Sequence, residues 1–276
     1  MGGSLAGALR GKCRAVVGVA RRAGSIELAR ARGLIDRGTT DLATGVGADG
    51  THPPADIVVL ATPVRAILRL LDELGPLLPE GCLLMDLGST KAHVVARMAA
   101  LPAHVQPLGG HPMCGKEVSG VAAADPALYE GRTFVLTPLP RTSPAALELG
   151  HALVEAVGAR ALVLDPRRHD RLVAAISHLP YLLACGLVGT AERAATADPM
   201  VWEVAASGFR DASRLAASDV TMMLDILLTN REAVLQVMEA CGAQLRDLSE
   251  RLEAGDEEGL RHALAAACDR RGGMFE

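Results

Sequence analysis

The sequence predicts an α/β fold, a doubly wound parallel sheet with an all-helical part behind it. Three observations carry that prediction. Short apolar runs ending in breakers alternate with helical patterns up to about residue 165. Runs of that kind are strands buried on both faces, and their alternation with helices builds a parallel sheet. From about 167 to 270 only helical periodicity remains. Half of the 276 residues are hydrophobic, but the aromatics are few (Trp202, Tyr129, Tyr181, Phe134, Phe209, Phe275), so Leu, Ala and Val must build a sizeable core.

The elements follow in order. Residues 13–20 (CRAVVGVA) read as a strand, with a helix at Ser25–Arg32. Residues 55–63 (ADIVVLATP) form a buried strand, and Arg65–Leu78 a helix. A strand at 81–89 (GCLLMDLGS) leads to a helix from Lys91 to Ala100. Residues 105–112 are a short strand running into a loop, and 132–138 a further strand. Pro144–Val157 is helical, and 159–165 is the last strand. This divides the chain into a dinucleotide-binding, Rossmann-like domain at 1–165 and an all-helical domain at 166–276. The helical part is too apolar to stand alone as a thin layer, which predicts a homodimer.

A sheet of this class starts with a strand, a G-x-G-x-x-G loop and a helix whose N-terminus faces a pyrophosphate. Met1-Gly2-Gly3-Ser4-Leu5-Ala6 reads as the tail of that loop, with Gly2 as its third glycine. It reads equally as a glycine-rich cloning tail or a frayed terminus. On the first reading the central strand is missing, two strand edges are left unpaired, and the true start is expected upstream of Met1. Gly2, Gly3 and Ser4 are then candidate cofactor residues, with Thr62 and Pro63 at the end of the 55–63 strand. The acid that ordinarily holds a ribose at the end of the second strand is replaced by Ala20, followed by Arg21 and Arg22. Guanidinium groups pair bidentately with a 2′-phosphate, so NADP is expected ahead of NAD. The alternative for Arg21 and Arg22 is a solvated turn.

Composition excludes several functions. The net charge of −4 leaves no basic footprint for nucleic acid. None of the cysteines (13, 82, 114, 185, 241, 268) forms a C-x-x-C pair, so neither a disulfide framework nor a metal site is expected. The N-terminus lacks the charged and apolar regions of a signal peptide. Val173–Ala191 approaches spanning length but contains Ser177, His178 and Pro180, so it reads as a buried helix, not a membrane span. A cytoplasmic protein is expected.

The segments richest in chemistry are Asp86–Lys91 (DLGSTK) and Gly109–Glu117, both at predicted strand ends, where sheets of this class place their sites. Glycines before and after His111 let a backbone approach closely. DLGSTK, GGHPMCGKEVSG (109–120), SHLPYLLA (177–184) and GFRDASRLAASD (208–219), in this order and spacing, resemble the prephenate/arogenate dehydrogenase family of tyrosine biosynthesis, from Gly2 to about Arg251. The resemblance implies a Rossmann-like domain followed by a helical dimerisation domain. It also implies NAD(P)-linked oxidative decarboxylation of prephenate or arogenate.

It casts His111 as the residue that takes the substrate hydroxyl proton, a task suited to a neutral imidazole. Ser89 orients the same hydroxyl or His111, His178 and Arg214 bind substrate, and Glu117 pairs with the arginine and gates the site. Read without the family, Ser89 fits a helix cap, His178 a satisfied core histidine, and Arg214 a bridge to Asp211 or Asp219. Lys116 fits either a solvated loop charge or a partner of anionic substrate. Many relatives carry Ala in place of Cys114, a small hydroxyl residue in place of Lys116, and some a Trp where Met223 stands; these differences bear on substrate selection. The loss of the acid at position 20 leans the reading toward arogenate. The competing readings are another Rossmann-plus-helical dehydrogenase, disfavoured because no Lys follows Lys116, and an inert dinucleotide-binding module.

Overall fold

The computed structural model describes residues 1–115, 118 and 120–274. The chain divides into two compact units, Met1–Asn230 and Arg231–Glu276. The boundary expected at 165 falls inside the first unit, where alternating strands and helices give way to helices only.

The first unit opens with α1 (Gly2–Ala8), β1 (Val17–Val19), α2 (Ala23–Ala31), β2 (Arg37–Thr39) and α3 (Leu42–Val46). It continues with β3 (Ile57–Leu60), α4 (Val64–Leu74), β4 (Leu83–Asp86), α5 (Ala92–Met98) and β5 (Gln106–Pro112). Then come β6 (Thr133–Pro138), α6 (Pro144–Ala156) and β7 (Arg160–Val163). Five strands pair in the order β3-β4-β5-β6-β7, while β1 and β2 pair in parallel as a separate two-stranded sheet. Among the described residues, β1 and β3 each have a partner on one edge only.

Side chains alternate across the five-stranded sheet as the pleat requires. On β4, Leu83 and Met85 enter one cluster with Leu5, Leu108, Phe134 and Leu153, whereas Leu84 enters the other with Ile67, Leu71, Val94 and Met98. Helices thus cover both faces, and all four β4 residues are buried. Burying each of these large apolar side chains contributes roughly 1.5–3 kcal/mol.

The sheet is mixed, not wholly parallel as expected, because β5 and β6 run antiparallel. A parallel return needs a crossover, usually a helix. Between Pro112 and Thr133 the described chain forms only the short 3₁₀ turns Val121–Ala123 and Pro126–Tyr129. The next connection, through α6, is a crossover, and β6 and β7 are parallel.

Helices complete the unit: α7 (Pro166–Val173), a π-helical turn at Ala174–His178, α8 (Leu179–Ala197), α9 (Met200–Glu203), α10 (Ser207–Ser213) and α11 (Val220–Thr229). Pro180 accounts for the wide turn. It has no N–H for the carbonyl of Ile176, and its ring crowds that turn. Pro166–Ala197 is one helical run long and apolar enough to cross a membrane, yet only 22% of its apolar window is buried within the chain. The expectation of a buried helix is therefore not met by one chain: Ile176, Leu183 and Leu187 are exposed. The second unit is a pair of helices, α12 (Arg231–Ala254) and α13 (Glu257–Gly272). At the junction Asp256 caps α13 by accepting from Gly259 N–H, and Arg251 pairs with Asp247 and Asp256.

Candidate active site

The turn after β4 is built around two buried charges. Asp86 accepts hydrogen bonds from Gly88 N–H (2.7 Å) and Gly110 N–H (3.1 Å), and its carboxylate pairs with the Lys91 ammonium. Both side chains are fully buried. Burial pulls Lys91 below the ordinary lysine value, against the opposing pull of Asp86. A pair like this is tolerated in the interior because its remaining hydrogen-bonding capacity is met. It ties the end of β4 to Gly110, the residue before His111. A Cβ on Gly110 would lie 2.6 Å from the Asp86 carbonyl oxygen, so only glycine allows this close approach.

His111 is the penultimate residue of β5, on the strand itself and not in the loop beyond it. Its Nδ1 is 2.8 Å from His169 Nε2, with the rings edge-to-face at 74°. His169 Nδ1 in turn is 2.8 Å from Asp170 Oδ1. The Asp170 carboxylate also accepts from Lys91 N–H (2.7 Å) and Ala92 N–H (2.8 Å), so it caps α5 from a distant part of the chain. Asn230 donates to the Asp170 carbonyl (2.8 Å) and lies 3.2 Å from His178 Nδ1. His169, Asp170, His178 and Asn230 are all buried.

This cluster shapes the electrostatics. Burial holds His111 well below the ordinary histidine value, reinforced by His169, Lys91 and His178. His178 is pushed down to about 4, again chiefly by burial, with Asp170 pulling the other way. Both imidazoles are neutral at pH 7, the state a proton acceptor needs.

The other residues singled out in the sequence are distributed as follows. Ser89 is half-buried in the turn before α5. It is not that helix's cap: Lys91 holds the N-cap position and Asp170 accepts the free N–H groups. Its neighbour Thr90 lies 2.8 Å from Thr229 of α11, hydroxyl to hydroxyl. Arg214 is exposed on the turn Arg214–Ala217, whose Leu215 packs with Tyr181 and Met223. Of the two acids considered for it, Asp211 pairs with Arg210 and Asp219 caps α11. Glu117 and Lys116 lie outside the described residues.

Residues proposed for a dinucleotide lie at strand ends. Arg21 and Arg22 are exposed just past β1 and form no ion pair among the described residues; Thr62 and Pro63 are exposed just past β3. A Cβ on Gly2 would lie 2.9 Å from that of Ala61, the close helix-to-strand packing asked of the third fingerprint glycine. A Cβ on Gly3 would lie 3.0 Å from that of Ala124. Ser4 is buried, its hydroxyl accepting from Asp125 N–H at 3.0 Å. These features fit a dinucleotide seat along the C-terminal ends of β1 and β3.

Sequence reading passed over His169, Asp170 and Asn230. The first two stand in a polar stretch, PRRHDR, that looks like a solvated first helical turn. The available signal was an adjacent His-Asp pair one short helix upstream of SHLP.

The chain matches two family models in succession. Residues 5–163 match "Prephenate dehydrogenase, nucleotide-binding domain" and residues 165–266 match "Prephenate dehydrogenase, dimerization domain". The prephenate dehydrogenase of Bacillus subtilis (strain 168) is 34% identical over 244 residues, 88% of this chain and 64% of that protein. The chain therefore spans less than two-thirds of that relative's length. The crystal structure of prephenate dehydrogenase from A. aeolicus in complex with hydroxyphenyl propionate and NAD+ matches with a TM-score of 0.91 and 34% identity, over 98% of this chain and 93% of that one. Synechocystis arogenate dehydrogenase matches with a TM-score of 0.85 and 28% identity, over 98% and 95%.

Proposed function

The chain belongs to the prephenate dehydrogenase family, and from that premise we propose that it catalyses the oxidative decarboxylation of prephenate or arogenate. One observation carries the reading beyond family membership. His111 and His178 are drawn into one buried, hydrogen-bonded cluster at the C-terminal ends of β4 and β5, each held in its neutral form.

In this reading His111 accepts the proton of the ring hydroxyl while the same carbon gives up a hydride. The bond to the ring carboxylate then breaks, CO2 leaves, and the electron pair completes the aromatic ring, whose oxygen regains a proton as a phenol. A bound nicotinamide dinucleotide supplies the hydride acceptor. Ser89 orients the hydroxyl, His178 donates a hydrogen bond to substrate, and Arg214 binds a carboxylate, with Glu117 as its acidic partner. Gly2, Gly3, Ser4, Thr62 and Pro63 would seat the dinucleotide. Residues 1–165 would carry cofactor binding, and residues 166–276 substrate binding and dimerisation.

The finer assignments are NADP over NAD, from Ala20, Arg21 and Arg22, and a lean toward arogenate. The exposed apolar residues of α8 and α11, Leu183, Leu187, Val220, Leu224 and Leu228, support a homodimer with these faces covered. A soluble, cytoplasmic enzyme acting on a small molecule is the corresponding setting.

The test is a steady-state assay of both substrates crossed with both cofactors. Turnover is expected in at least one combination, and none in all four overturns the reading. The double variant R21A/R22A should weaken NADP at least tenfold more than NAD; equal losses would remove the 2′-phosphate contact.

A further inference from the structure

The hydrogen bonds around Asp170 determine where the protons sit on three histidine rings. The Asp170 carboxylate can only accept, so the proton between it and His169 is on His169 Nδ1. A neutral His169 then has a bare Nε2. One proton fits in the 2.8 Å gap to His111 Nδ1, and it must belong to His111. His111 is left with an unprotonated Nε2. On the other side, the Asp170 carbonyl also only accepts, which fixes the Asn230 nitrogen as its donor. The second N–H of the same amide points at His178 Nδ1, 3.2 Å away, so that atom is the acceptor. His178 therefore carries its proton on Nε2.

We propose that Asp170, acting through His169 and Asn230, is a positioning residue that sets His111 and His178 in opposite tautomers. Nε2 of His111 becomes the proton acceptor and Nε2 of His178 a hydrogen-bond donor. This rests on the reading of His111 as the base and adds how that role is assigned. On taking the hydroxyl proton at Nε2, His111 becomes an imidazolium whose Nδ1–H stays on His169. Lys91, fully buried beside Asp86, disfavours a further cation here, so the proton is readily returned to the product oxygen. Among the described residues the charged and titratable groups acting on His111 are thus Lys91, His169 and His178, with Asp86 on Lys91 and Asp170 on His169.

Two readouts test this separately from the activity itself. Long-range ¹H–¹⁵N spectra of the full-length protein, ¹⁵N-labelled at histidine and assigned with single variants, report each ring nitrogen directly at pH 7.5. The expected pattern is a protonated Nδ1 and bare Nε2 on His111, with the reverse on His178. A protonated Nε2 on His111, or a doubly protonated His169, overturns the relay.

Kinetics then test its use. H169Q keeps an acceptor for His111 Nδ1–H and should retain kcat within about fivefold. H169L should lose about 10²-fold or more in kcat, because a histidine in the wrong tautomer is a poor base, while dinucleotide Kd stays within twofold. D170A, which removes the acceptor from His169 Nδ1–H and frees that ring to change tautomer, should lower kcat as H169L does and mix the nitrogen signals of His111. If H169L fails to fold, D170A and H169Q carry the comparison. Wild-type kcat in both H169L and D170A overturns the positioning role. The expected spectra with no turnover of either substrate by wild type would sink the functional reading while leaving the tautomer assignment standing.

Discussion

At residue 111 the surroundings favour an uncharged ring, with a lysine ammonium and two further imidazoles nearby and little solvent. H111N is the informative change. Asparagine keeps a donor for His169 Nε2, so the cluster persists while the base is lost. We expect kcat to fall by about 10²–10⁴-fold, the usual contribution of a positioned base. Dinucleotide affinity, measured by fluorescence titration, should be unchanged. A variant with wild-type kcat would exclude His111 from proton transfer. Ser89, His111, His178 and Arg214 were readable as candidates because each stands in a distinctive motif. His169 and Asp170 were not, because their burial depends on Asp170 capping α5, whose first residues lie far away in sequence. No local pattern encodes a partner that the fold delivers.

Strand and helix positions were largely readable, because apolar runs and breakers report burial and chain reversal. β2 was missed for a physical reason. Arg37-Gly38-Thr39 is short and mostly exposed, has no alternation, and is held in place by backbone pairing to β1. The direction of β6 was also hidden, since a strand's own side chains do not say which way it runs; the missing crossover does. The strand ends that carry the site depend on tight packing. G110A forces a Cβ into the Asp86 carbonyl and toward Phe134. It should cost about 1–3 kcal/mol, typical of overpacking, and lower Tm in a thermal melt. An unchanged Tm would mean that β4 and β5 can separate without loss.

On the scale of the whole molecule, the buried histidines make stability depend on acidity. Above pH 6.5 a histidine is neutral in the folded and unfolded chains alike, so His178 contributes no pH dependence there. Below 6.5 the unfolded chain takes up a proton that the folded site refuses until about pH 4. Stability therefore falls with acid across that window, by roughly 3 kcal/mol for this one group. Urea midpoints should drop between pH 7 and 4.5, and H178Q should flatten the slope by close to one proton. Equal slopes for the two proteins would contradict the burial argument. The wide turn at Ala174–His178 has a consequence on the same scale. His178 is nine residues beyond His169, and regular winding at about 100° per residue would set the two on opposite sides of the rod. One surplus residue absorbed by the turn brings them to within about 80°. The same offset fixes the azimuth of everything after it, including the outward leucines of α8. Winding the same residues regularly, without the wide turn, would keep the rod continuous, yet swing that oily flank by about 100° about its axis, so chemistry and exterior are phase-locked through one loop of backbone.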